Sequence, residues 1–288
     1  MATRQTTLFD QRQVQRTPTP SGPERLVIMT ANGSAKAAET AYRVGGYVGI
    51  ESMAKRPPDF IPVAFVDWPF TKLEDHDFEA VWRGHLHRVA DEEPRIAVAP
   101  DVDGTLDAEE VFALADELAE YAETVVVVPK AIEPRAVPPR FRVGFPCQPR
   151  FGDPPWPLID YRDCRGVHLL GGSPNRHIEV LKYGVPVESV DTASPLRAAG
   201  FGSVWTAEGW REYDAGYYGS LERTYRNLRR ELNRDRQLSR VKPRNRRLDC
   251  RKPELREKYC LGPGEEVPGY LHPDYLDYVG ENFRHRNH

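Results

Sequence analysis

At 288 residues, with 40% hydrophobic and 29% charged side chains, the chain has the composition of a soluble protein of one large α/β domain or two small ones. No apolar run approaches the roughly 18–20 residues needed to span a bilayer. The polar N-terminus carries no secretory signal. The four cysteines, at 147, 164, 250 and 260, suit a reducing cytosol better than a disulfide framework, so a cytoplasmic location is expected. The net charge of −3 conceals an asymmetry. Residues 223–258 hold fifteen Lys or Arg against five acids, a balance of +10 that leaves −13 for the remainder. A basic segment on an acidic body points to a polyanion partner, nucleic acid first, with a solvated, salt-bridged helix as the plainer alternative.

Residues 1–24, rich in Thr, Gln and Pro, read as a disordered tail. Eight short apolar runs follow, at 26–30, 47–52, 62–67, 96–101, 124–130, 142–147, 167–171 and 187–191. Several are valine-rich and continuous, as strands buried on both faces require. Helical patterns lie between some of them. Phe78, Val81, Trp82, Leu86 and Val89 share a face over 78–89. Val111, Leu114, Ala115, Leu118 and Ala122 do so over 107–122, with Thr105 and Asp107 as caps and Glu109 and Glu110 near the positive helix start. A shorter helix over 175–183 ends at Gly184.

Strands alternating with helices imply a parallel sheet with right-handed crossovers. Eight of them favour an irregular (β/α)8 TIM-type barrel over residues 25–217. It is irregular because the links 52–62 and 130–142 are too short for full helices. A doubly wound open sheet is the alternative, but neither GxGxxG nor GxxxxGK[ST] is present to support it. Residues 218–288 read as a basic helical and irregular extension. Within it, 220–238 carries Leu221, Tyr225, Leu228 and Leu232 on one stripe and most of the arginines elsewhere.

The stretch 166–206 carries the chemistry. An apolar run ends in Gly171-Gly172, a helix follows, and a second run stops on Asp191. Reactive groups of parallel barrels sit where strands end, so Asp191 is a candidate nucleophile. The alternative is a turn or N-cap aspartate before Thr192 and Ser194.

The text LLGGSP, a helix and YGVPVESVDTASPLR, followed by GFGSVWT, resembles the tRNA-guanine transglycosylase superfamily. The order extends upstream through MTANGSAK, YVGIES, AFVDWPF, IAVAPDV, VVVVPK and RVGFP. The resemblance covers about 24–206 and is strong over 166–206. Four departures are visible. Trp68-Pro69 replaces a Gly-Gly, Lys130 or Pro129 stands at a glutamine position, Glu51-Ser52 replaces an asparagine, and the CxCxxC zinc motif is absent. Without that motif and with a basic extension, the chain is most similar to the DNA-modifying 7-deazaguanine (DpdA-type) branch.

The resemblance implies exchange of guanine in DNA for a 7-deazaguanine base such as preQ0 or preQ1, with a partner protein as a further expectation. Asp191 would attack C1′ to form a covalent intermediate. Asp67 would be the general acid and then the base. Asp101, or its rival Asp103, would accept from guanine N1–H and the exocyclic amine. Gly144 and Gly171-Gly172 would admit the base to backbone amides, Phe70 or Trp68 would stack on it, and Lys130 would reach the base or a phosphate. Arg197, Arg226, Arg229, Arg230 and Arg234 would hold the nucleic-acid backbone. No cofactor is required. Cys250, Cys260 and His272 are the candidates for zinc, although their spacing fits no standard site. Competing readings are a non-catalytic nucleic-acid-binding protein on a decayed barrel, a tRNA-directed transglycosylase, and a barrel enzyme acting on small molecules.

Overall fold

The computed structural model describes residues 24–31, 33–147 and 156–234. Eight parallel strands close into a barrel in chain order: β1 (Leu26–Thr30), β2 (Tyr47–Glu51), β3 (Val63–Asp67), β4 (Ile96–Val98), β5 (Val125–Val127), β6 (Arg142–Pro146), β7 (Val167–Leu170) and β8 (Val187–Thr192). Closure is made by β1 against β8, which sets Ile28 beside Asp191. All eight expected runs are strands. Two of them, β4 and β5, leave the sheet before Asp101 and Lys130, and a parallel bridge from Val102 to Pro129 holds the two departing segments together.

Among the described residues six α-helices accompany the strands: α1 (Ala35–Arg43), α2 (Phe78–Glu92), α3 (Ala108–Leu118), α4 (Pro174–Lys182), α5 (Ser194–Gly200) and α6 (Gly216–Leu232). Their starts follow capping chemistry. Ser34, Asp77 and Ser173 accept from the backbone N–H three residues on, and Asp107 with Glu110 forms a capping box. The helix α1 has no counterpart in the sequence reading, because its buried face is mostly alanine (Ala37, Ala38, Ala41) and gives a weak periodic signal. The links 52–62 and 131–141 hold no α-helix, only a 3-10 turn at Pro134–Ala136 in the second, so the irregularity expected of the barrel is present.

The strands' outward valines pack under the helices, and every residue of β4 and β5 is buried. Each such side chain contributes on the order of 1.5–3 kcal/mol. Inside the barrel Phe65 from β3 stacks on His168 from β7, with ring centroids 5.1 Å apart and 20° between planes. These strands are not neighbours, so the contact crosses the barrel axis.

The expected boundary after residue 217 is corrected by α6. Its stripe of Leu221, Tyr225, Leu228 and Leu232 is buried in the barrel core. Arg25, just before β1, donates from Nε to Val187 O at 2.8 Å and from its guanidinium to Leu232 O. The Arg25 backbone N–H donates to Asn233 Oδ1 at 2.8 Å. The compact unit therefore includes α6. A hairpin of β9 (Ser203–Thr206) and β10 (Gly209–Glu212), also not read from the sequence, leads into α6. The expected tail through residue 23 and the expected extension from 235 onward lie outside the described residues.

Candidate active site

A cavity of about 190 Å³ opens at the C-terminal ends of the strands, where barrel enzymes place their chemistry. Four carboxylates line it: Glu51, Asp67 and Asp191 from the ends of β2, β3 and β8, and Asp101 from the segment that follows β4. Lys130 and Phe70 complete the polar wall and the aromatic rim. The volume lies below the roughly 300–1,000 Å³ of sites for drug-sized ligands, so the cavity suits one ring system rather than a whole nucleotide.

Asp191 is held by three donors. Thr30 Oγ1 donates to its Oδ2 at 2.8 Å, Gly171 N to its Oδ1 at 2.8 Å, and His168 Nε2 lies 3.4 Å from the same Oδ1. Burial opposes ionisation, but His168, the Gly171 amide and Thr30 outweigh it and hold Asp191 below the usual carboxylate range. Gly171 (φ +60°) turns its amide onto Asp191, while its carbonyl meets His177 Nε2 at 2.6 Å. Burial pushes His177 down to about 4, so its neutral ring donates to that carbonyl.

Asp67 is the opposite case. Burial first, then the charges of Asp191, Asp101 and Glu51, push it well above the usual carboxylate range. One carboxyl is thus pushed toward its protonated form beside another pushed toward ionisation, the division of labour that an acid and a nucleophile require. Asp101 is raised by burial and lowered by Lys130, whose Nζ stands 2.6 Å from Asp101 Oδ2, with a net rise. Burial raises Glu51, with Lys72 opposing.

The cavity therefore brings together Asp67, Asp101, Asp191, Gly171, Phe70 and Lys130. The other sequence candidates fall elsewhere. Asp103 is exposed and accepts from Thr105 N at 2.9 Å, because the turn has already begun there. Gly144 lies a layer below the cavity, where a Cβ would meet Val126, Val128 and Leu170, so it serves packing rather than base access. Gly172 takes φ +83° against Cys147 and accepts Thr192 Oγ1 on its carbonyl, outside the lining. Trp68 does line the cavity, but it is buried against Phe78, Trp82 and His85. Arg197 lies exposed on α5, away from the lining. Arg226, Arg229, Arg230 and Arg234 pair with Glu222, Glu24 and, for the last two, Glu231. Such exposed pairs hold only about 0–1 kcal/mol.

Several site residues escaped the sequence reading: Glu51 as a cavity carboxylate, Thr30, and the interior polar residues His168, Ser189 and Arg142. Burial pushes the thiols of Cys147 and Cys164 up, which suits inert groups. Among the described residues no group of three or more His, Cys, Asp or Glu is placed to hold a metal. Cys250, Cys260 and His272 lie outside the described residues. The pairing of Ser189, His168 and Asp191 is no hydrolase triad. Ser189 is fully buried and the acid faces the cavity, the reverse of what a serine nucleophile needs.

Fold and site define a closed α/β barrel with an acidic, ring-sized cavity at the ends of its strands. The chain belongs to DUF6610, a family of unknown function, whose profile matches residues 41–233, from within α1 to just past α6. No curated protein matches the chain.

Proposed function

We propose that this protein is a guanine transglycosylase-like enzyme that exchanges guanine in DNA for a 7-deazaguanine base. The observation that carries the reading is the meeting of two carboxyls in a cavity the size of one base, Asp191 held low by its donors and Asp67 pushed up by desolvation and neighbouring acids.

In this reaction Asp191 Oδ2 attacks C1′ as the glycosidic bond breaks, and Asp67 gives its proton to the departing guanine. The covalent aspartyl–sugar ester then meets the incoming base. Asp67, now a carboxylate, takes that base's N–H proton, the nitrogen attacks C1′, and Asp191 leaves as a carboxylate. Asp101 and Lys130 form an acceptor and a donor side by side. That pattern complements the N1–H and O6 of guanine and leaves adenine mismatched. Phe70, 37% exposed at the rim, supplies a stacking face. A cavity that holds a base and not its duplex requires the target nucleotide to be flipped out or single-stranded.

The test is incubation of DNA carrying labelled guanine with excess 7-deazaguanine base. Release of label and a denaturation-resistant protein–DNA adduct are expected. If wild-type protein, with any partner it needs, gives neither on DNA nor tRNA, the reading is wrong. Release from tRNA alone would move the activity to the RNA substrate.

A further inference from the structure

Beneath Asp191 a line of polar side chains runs down the barrel, and base exchange itself gives it no task. Arg142, at the start of β6, donates from Nη1 to Ser189 Oγ at 3.0 Å. Ser189 Oγ lies 2.7 Å from His168 Nδ1, and His168 Nε2 lies 3.4 Å from Asp191 Oδ1. Ser189 and His168 are both 0% exposed. Apolar residues would fill this space without the desolvation penalty that buried polar groups carry.

The direction of the chain follows from its first member. Arginine only donates, so Ser189 Oγ accepts from Arg142 and turns its own hydrogen to His168 Nδ1. Burial pushes His168 toward its neutral form, against the pull of Asp191. Its one ring hydrogen must then sit on Nε2, the nitrogen facing Asp191. Phe65, stacked on the imidazole, keeps the ring from turning away. At 3.4 Å the last contact is long for an N–H···O bond, and such bonds of unliganded sites tighten in the reacting complex. The surrounding charges are Glu188, which pairs with Arg142 at 2.6 Å, His177 from α4, and Asp67 across the cavity.

We infer that His168 is a positioning residue for Asp191: its Nε2–H, oriented by Arg142 and Ser189, joins the Gly171 amide in holding Oδ1 and leaves Oδ2, held by Thr30 alone, as the oxygen that reacts. This rests on the reading of Asp191 as the attacking carboxylate. The Arg142–Ser189–His168 line also brings a fixed dipole, backed by a guanidinium, under the anion.

The test is the titration of Asp191 itself, in intact protein carrying 13C at its aspartate carboxyl carbons, with the Asp191 signal assigned by its loss in Asp191→Asn. In His168→Leu the midpoint rises by about one pH unit, a roughly tenfold gain in proton affinity. In His168→Gln, which keeps an N–H donor, it stays near wild type. Ser189→Ala frees the tautomer and falls between the two. In turnover the acid limb of kcat moves with these midpoints while KM stays within about twofold. Should His168→Leu fail to fold, Ser189→Ala against His168→Gln gives the same decision. Midpoints that do not move in the folded variants overturn the inference. If they move as stated but wild type exchanges no base, the transglycosylase reading falls and the positioning role stands.

Discussion

Lys130 Nζ stands 2.6 Å from Asp101 Oδ2, and the two side chains form one wall of the cavity. Neither lies in a strand. They meet because β4 and β5 give way to loops joined by the Val102–Pro129 bridge, which carries the residue before one and after the other. Lys130 is also what opposes the effect of burial on Asp101. Lys130→Met therefore raises the Asp101 pKa further, and the carboxyl gains a proton closer to neutral pH. Guanine binding in the variant weakens by about tenfold to a hundredfold, the range of one charged hydrogen bond. The part of the loss that comes through Asp101 is largest between its wild-type and variant pKa values, where only the variant is protonated, and shrinks as pH rises and Asp101 ionises in both. Asp101→Leu removes the acceptor at every pH and erases the preference for guanine over adenine. Calorimetric titration with each base across the pH range checks both.

Gly172 sits where no other residue fits well. Its φ is +83°, and a Cβ built on it would lie 2.5 Å from Cys147 Cβ. Cys147 is buried, so relief requires a backbone shift. Gly172→Ala is expected to cost about 1–3 kcal/mol. The shift also loosens the Thr192 Oγ1 contact to the Gly172 carbonyl and, through Gly171, the amide on Asp191. Urea unfolding reads the stability loss; a cost under about 0.5 kcal/mol would contradict this account of the turn.

The three aspartates that meet in the cavity are legible from the sequence because each ends a hydrophobic run, and in a parallel barrel run ends share one face. Glu51 ends a run too, but the resemblance sets it against an asparagine, which hides its role as a fourth carboxylate. His168, Ser189 and Arg142 are illegible for a different reason. In strands buried on both faces a polar residue turned into the barrel looks like an interruption of the pattern, and the contacts that join them run between β6, β7 and β8 rather than along any one strand. Asp103 and Gly144 fail as candidates because spacing along a strand does not say where the strand stops. The α6 boundary fails because an arginine-rich helix reads as solvated, although its leucine stripe was visible and does face the core.

Asp191 has a structural burden besides its chemistry. Thr30 Oγ1, Gly171 N and His168 all turn toward it. Asp191→Ala leaves those groups without an acceptor and is expected to cost about 2–4 kcal/mol in addition to abolishing adduct formation. Asp191→Asn retains an acceptor and costs less, yet it too forms no adduct. The pH dependence follows from the lowered pKa. The unfolded carboxyl takes a proton near its ordinary value of 3.8, while the folded one resists until lower pH. The stabilisation is complete above that ordinary value and is lost as pH falls through the folded pKa. Unfolding of the two variants and wild type between about pH 2 and 7 checks it, with the gap between wild type and Asp191→Asn narrowing toward the acid end.

Asp67 carries the opposite sign. Its carboxyl is raised by burial and by three neighbouring acids, so the folded protein holds a proton that the unfolded chain releases. Its contribution is fully present below the ordinary carboxylate pKa and declines as pH rises toward the folded one. Asp67→Asn keeps the shape of the protonated acid and removes the charge that must be suppressed. The variant is therefore expected to be more stable than wild type at neutral pH, by about 1 kcal/mol or about 2–4 °C in Tm for a chain of this size. The advantage should vanish at acid pH, where both side chains are neutral. Base exchange should fall by about a hundredfold to ten-thousandfold, the usual contribution of a positioned acid. Calorimetric scans at pH 4 and pH 7.5, with turnover measured on the same preparations, decide the matter. A variant that is less stable at both values would mean that Asp67 is ionised and paired in the folded protein, and it could not then be the proton donor.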